Sequence, residues 1–101
     1  MSNLLATNPI ILTATMGSTF QASLPAINQR PYILVEKVLW ETPATPGDTV
    51  AIVDSNGNVL LPLTCEVASQ SQIVDWSAHP RIWRDFQVST LGSGTVYIYL
   101  R

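Results

Sequence analysis

Few residues in this chain have the type and spacing that chemistry requires. Asp54-Ser55-Asn56-Gly57-Asn58 alternates oxygen-bearing side chains, as a calcium-wrapping loop does. An EF-hand loop needs Gly at its sixth position and Glu at its twelfth. Counted from Asp54, the glycine comes early and the position for that glutamate is Cys65, so the segment reads as a hairpin turn. Asp75, Ser77 and His79 contain the residue types of a nucleophile, a base and an orienting carboxylate. A triad draws its third group from elsewhere in the fold, and these three share one short loop. His79-Pro80 is read as setting a bend instead. His79 is the only histidine and Cys65 the only cysteine, so no zinc cluster is expected and no intrachain disulfide can form. A lone cysteine fits a reducing compartment, and Cys65 reads as a small buried hydrophobe. Glycoside hydrolysis needs two acids across a cleft, for which a chain of 101 residues has little room. Neither a dinucleotide-binding glycine pattern nor a phosphate-binding loop is present. The expectation is a protein that is not an enzyme, with no cofactor and no metal.

The remaining chemistry-bearing residues are aromatic and cationic. Trp40, Trp76, Trp83, Tyr97 and Tyr99 fit a core or a subunit interface, where Trp and Tyr are enriched. They also fit a sugar-stacking platform on a β-sandwich. Trp83 lies opposite in parity to Ile82 and Phe86, and Tyr97 and Tyr99 lie opposite to Val96 and Ile98. If the aliphatic parity faces the core, all three aromatics face outward as an association site. Arg81 and Arg84 flank Trp83, either as solvated charge over the aromatics or as salt links to a partner carboxylate.

Composition sets the frame for these residues. Lys plus Arg is 5 and Asp plus Glu is 7, for a net charge of −2, which excludes a phosphate-tracking nucleic-acid binder. Charged residues are 12% against about 25% in typical domains, which suggests a surface partly covered by a partner. Apolar residues reach 47%, too many for a disordered chain. The N-terminus lacks a basic region followed by a sustained apolar run, so no secretory signal is expected. No apolar run approaches the roughly 20 residues of a spanning helix. The expectation is synthesis in the cytoplasm without membrane partners.

The elements that must position these side chains are strands. Period 2 dominates. Strands are expected at Pro9 to Thr15, Ser18 to Leu24, Tyr32 to Glu41, Thr49 to Val53, Val59 to Thr64, Ile82 to Thr90 and Thr95 to Leu100. A weaker stretch from Cys65 to Asp75 carries Ile73 and Val74. Tyr32 to Glu41 is apolar on both parities, interrupted by Glu36 on one and Lys37 on the other, so both faces are expected to be covered. Asn56-Gly57 supplies the positive φ of a tight hairpin, and Pro62 marks an edge or a bulge. Turn signals at roughly 8–12-residue spacing give an all-β, antiparallel β-sandwich of about seven or eight strands, open to a jelly-roll arrangement. One domain is expected over residues 9–101, preceded by a flexible arm over residues 1–8.

A resemblance joins these readings. Asn8-Pro9-Ile10-Ile11-Leu12-Thr13-Ala14 is followed by a long strand ending Val35-Glu36-Lys37-Val38-Leu39-Trp40. Then come the hairpin Thr49 to Val59, the Trp-bearing Arg81-Ile82-Trp83, and the close Leu91-Gly92-Ser93-Gly94-Thr95-Val96-Tyr97-Ile98-Tyr99-Leu100. This pattern resembles small all-β structural proteins of tailed bacteriophages. The resemblance spans most of residues 9–100 and carries no catalytic signature. It implies a virion component, most simply a cement or decoration protein on the head, with a tail or head–tail connector as the alternative. A homo-oligomer, with a trimer as the expected state, would bind the major capsid protein or another virion protein. Trp83, Tyr97, Tyr99, Arg81 and Arg84 are the expected interface, and the arm residues Asn3, Leu4 and Leu5 the expected clamp. The rival is a carbohydrate-binding module, on a phage surface or elsewhere, with two or three of Trp40, Trp76 and Trp83 coplanar and exposed.

Overall fold

The computed structural model describes residues 3, 8–16, 19, 20, 22 and 32–100. Among these, regular structure is entirely β, so there is no helix that could cross a membrane. The strands are β1 (Ile10–Leu12), β2 (Ile33–Glu41), β3 (Thr49–Asp54), β4 (Val59–Thr64), β5 (Gln72–Asp75), β6 (Arg81–Trp83), β7 (Phe86–Leu91) and β8 (Thr95–Leu100). They form two antiparallel sheets. One runs β1-β8-β2-β5, with β6 also paired to β2, and the other runs β4-β3-β7. The fold is a β-sandwich.

The expected strand over Tyr32 to Glu41 forms as β2 and is the spine of the larger sheet. β8 covers one of its edges. β6 and β5 share the other, β6 along Ile33 to Val35 and β5 along Lys37 to Trp40. Glu36 falls at a bulge, since Val35 opposes Leu100 while Lys37 opposes Tyr99. One extra residue reverses the alternation of everything beyond it. Ile33 and Val35 before the bulge and Val38 and Trp40 after it therefore all face the core, each 2% exposed or less. The expected assignment of one face to each parity is corrected here, because the core-facing residues come from both parities. Both charged residues are carried out of the core, and the freed Glu36 carbonyl accepts the Trp76 N–H at 2.8 Å.

The second sheet is built on the expected hairpin. Gly57 takes φ 86°, and the Asp54 carboxylate caps the turn. Its Oδ1 accepts the Asn56 and Asn58 amides, both at 2.9 Å. Pro62 lies on β4, an edge strand, where a missing donor is tolerated and blunts the edge against further pairing.

Of the expected strand Ser18 to Leu24, Thr19, Phe20 and Ala22 are described and none is in a strand; the rest lies outside the described residues. Met16 N–H nevertheless donates to Val88 O (3.0 Å) and Phe20 N–H to Phe86 O (2.7 Å), so the chain meets β7 antiparallel at these points. With that contact counted as second in order, the antiparallel partners nest. β1 meets β8, Met16 and Phe20 meet β7, β2 meets β5 and β6, and β3 meets β4. This nesting is the jelly-roll order.

The stretch from Ile82 to Thr90 is two strands, not one. The chain leaves the larger sheet after Trp83 and enters the smaller one at Phe86. Parity does not carry across that crossover. Trp83 is 3% exposed and Ile82 57%, the reverse of the expectation. From Pro9 to Thr15 only β1 forms, and from Cys65 to Asp75 only β5.

The core between the sheets is wholly apolar among the described residues, with no buried polar side chain. Phe20 stacks on Phe86 at 4.8 Å, Trp83 tilts against Phe86 at 5.6 Å, and Trp76 meets Trp83 edge-on at 6.1 Å. A fully buried side chain of this size contributes about 1.5–3 kcal/mol.

The β7–β8 turn closes one end. Ser93 O accepts the Trp40 indole N–H at 2.8 Å, and Ser93 Oγ donates to Asp48 Oδ2 at 2.6 Å while accepting the Ala44 amide at 2.8 Å. Gly94 sits against β2 with φ 75°, where only a residue without a Cβ fits.

Candidate functional site

β1, β8, β2 and β5 turn alternate side chains away from the core, and the register aligns four of them. Ile11 opposes Tyr97, Tyr97 opposes Leu39, and Leu39 opposes Ile73. One apolar side chain per strand thus forms a row across the outer face of the larger sheet. Ile11, Leu39 and Tyr97 are half-buried and Ile73 is 62% exposed. Residues with polar groups flank the row two positions along β8 and β2, and at Asp75 on β5. On one side Tyr99, Lys37 and Asp75 lie abreast; on the other are Thr95 and Glu41. The Lys37 ammonium sits 5.0 Å from the centre of the Tyr99 ring. The Asp75 carboxyl is held below its usual range, first by the Ser77 amide and hydroxyl and then by the Lys37 charge.

A second feature lies at the sandwich edge, where β4 passes the β5–β6 region. Val59, Leu60, Trp76, Arg81, Ile82 and Trp83 line a hollow of about 310 Å³. The Arg81 guanidinium lies 5.3 Å from the Trp76 ring. An aromatic series runs from Phe20 and Phe86 in the core through Trp83 to Trp76 beneath this cation.

The structure divides the expected interface. Tyr97 and Tyr99 share the outer face, as their parity requires. Trp83 does not join them, because the crossover to the second sheet turns it into the core. Arg81 is exposed but belongs to the edge hollow, and Arg84 is exposed between β6 and β7. A platform of coplanar, exposed tryptophans does not form, since Trp40 is 0% and Trp83 3% exposed.

Leu4 and Leu5 of the expected clamp lie outside the described residues. Asn3 is bound to its own domain: its Oδ1 accepts the Thr13 and Ala14 amides at 2.7 and 3.1 Å, and its Nδ2 donates to Ala14 O at 3.1 Å. Asn8 exchanges two hydrogen bonds with the Leu100 backbone, at 2.9 and 3.2 Å, extending the β1–β8 ladder by side chain. A free arm does not describe these two residues.

The other candidates have structural occupations. Asp54 Oδ2 accepts the Asn58 amide side chain at 3.2 Å, so both carboxylate oxygens serve the turn. Its carboxyl is lowered chiefly by the Asn58 backbone hydrogen bond. Asp75 Oδ1 accepts the Ser77 amide at 2.8 Å, and His79 is exposed with its backbone N–H on Trp76 O. Cys65 is buried, with Sγ 3.3 Å from Val67 O.

Sequence reasoning missed Ile11, Leu39 and Ile73 as members of the outer row. Their places are set by the bulge at Glu36 and by strand order, neither of which leaves a signal in the sequence. No protein-family model matches the chain, and no curated protein or solved structure matches it.

Proposed function

We propose that this chain is a non-enzymatic structural protein of a bacteriophage virion, a cement or decoration protein that binds the head surface and acts as a homo-oligomer. The observation that carries the reading is the outer face of the larger sheet, where Ile11, Tyr97, Leu39 and Ile73 align outside the core. Such a row on a rigid sheet is an association surface. Three further facts support it. The pattern from Asn8 to Leu100 resembles phage structural proteins. The jelly-roll order is one used by viral capsid domains, though fold alone does not fix function. The carboxylates with the spacing of chemistry hold turns. The mechanism is mechanical: many copies, each weakly held, bridge neighbouring capsid subunits and gain strength by multivalency.

The test is co-sedimentation of the purified protein with phage heads from the lysate in which its gene is expressed. Saturable binding at a fixed ratio to the major capsid protein is expected. Absence from the pelleted heads, together with absence from the mass spectrum of purified virions, overturns the reading.

A further inference from the structure

We infer that the outer face of the β1-β8-β2-β5 sheet pairs with the same face of a second copy about a two-fold axis running along the Ile11–Tyr97–Leu39–Ile73 row. This deepens the assembly reading above and rests on that face being an association surface.

The occupant and the axis follow from charge. Leu39 is flanked on its own strand by Lys37 on one side and Glu41 on the other, all three turned outward. Rotation about an axis along the row lays β2 on β2 with strand directions reversed. Lys37 then faces Glu41 of the second copy, and Glu41 faces its Lys37, giving two opposite-charge pairs from one symmetry operation. On β8 the same rotation sets Tyr99 over Thr95, and Asp75 of β5 comes to the level of Ser71, one residue before that strand, so no like charges meet. The row lies on itself, Leu39 on Leu39 and Tyr97 on Tyr97. A two-fold along the strand direction instead sets Lys37 on Lys37 and Glu41 on Glu41, which like-charge repulsion opposes. The edge hollow offers no such self-complementarity: Arg81 is its only charged lining residue.

The area sets the strength. Four strands span about 19 Å, and the levels from Lys37 to Glu41 span about 14 Å. That patch is far below the ~800 Å² per partner of a stable complex. The pair is therefore weak, with Kd on the order of 100 μM or above, and forms where copies are concentrated.

The experiment is sedimentation equilibrium of the full chain from dilute to millimolar protein, with amide chemical shifts followed over the same dilution series. Reversible dimerisation is expected, with shifts confined to the outer face around Leu39, Tyr97 and Ile73. Lys37→Glu and Glu41→Lys each weaken it at least about tenfold, by placing like charges opposite. The double variant Lys37→Glu/Glu41→Lys restores it to within about threefold, since the swap recreates both pairs. Ile73→Lys, at a side chain outside the core, weakens pairing with the melting temperature retained. A monomer at millimolar concentration overturns the inference, as do shifts centred on Val59 and Ile82 or failure of the double swap to restore pairing. Head binding is read separately: co-sedimentation of a strictly monomeric chain leaves head binding standing and removes the two-fold pair together with self-association.

Discussion

Substituting Gly94 by alanine tests how tightly the β7–β8 turn is built against β2. A Cβ at Gly94 would stand 2.5 Å from the Glu41 carbonyl oxygen, 3.0 Å from the Trp40 indole nitrogen and 3.1 Å from the Pro43 nitrogen. Two costs add. A left-handed backbone costs an L-residue about 1–2 kcal/mol. Relieving the contact moves the Glu41 carbonyl and the Trp40 indole, whose N–H donates to Ser93 O at 2.8 Å. Leaving a half-made bond at a buried indole costs about 1–3 kcal/mol. Gly94→Ala should therefore destabilise by about 2–5 kcal/mol, a large share of the roughly 5–15 kcal/mol a domain possesses. Gly57→Ala is the control. Its φ is 86°, but nothing lies within 4 Å of the added carbon, so only the backbone cost applies, about 1–2 kcal/mol. Urea unfolding followed by tryptophan fluorescence should show the Gly94 variant's midpoint lowered by roughly 1–3 M and the Gly57 variant's by a fraction of that. Equal losses in the two variants would refute the steric reasoning and reduce Gly94 to an ordinary turn glycine.

Three further outcomes are expected. Trp83→Ala should cost about 3–5 kcal/mol in thermal or urea unfolding, as loss of a core aromatic does, whereas an interface residue would leave monomer stability nearly unchanged. Asn8→Ala should cost about 1–2 kcal/mol and speed amide exchange at Leu100, because both of its hydrogen bonds go to that backbone. The lowered carboxyl of Asp54 contributes stability that is fully present above the ordinary aspartate value and lost as pH falls through its lower folded value. A carboxyl titration by NMR should place Asp54 below an unperturbed aspartate, and Asp54→Asn should flatten the acid side of the stability profile.

The sequence disclosed the strands wherever alternation stayed within one sheet. Thr49 to Val59 was legible because Asn56-Gly57 marks its turn chemically, and Thr95 to Leu100 because its alternation is unbroken. β2 was legible as a strand but not in its facing, since a bulge at Glu36 costs one residue and has no residue type of its own. Trp83 was misplaced for a related reason. Parity was extended through Arg84 and Asp85, where the chain changes sheets. The outer row depended on strand order, and which strand lies beside β2 is settled by long-range pairing that no local pattern encodes. Tyr97 could be assigned to a surface from parity, but its neighbours Leu39 and Ile11 could not.

The nested pairing also dictates when the molecule can become whole. β8, the last of these strands in chain order, sits inside the larger sheet between β1 and β2. Until it arrives, β1 has no partner of its own and one full edge of β2 stands open. The β3–β4 hairpin can close early from local contacts, but the larger sheet must wait for its interior strand. Folding dominated by such distant pairings is slow, and the open strand is exposed to neighbouring chains in the interval. A truncation that removes β8 therefore takes out the middle of a sheet rather than trimming its margin. The product would be two unjoined halves rather than a shortened sandwich.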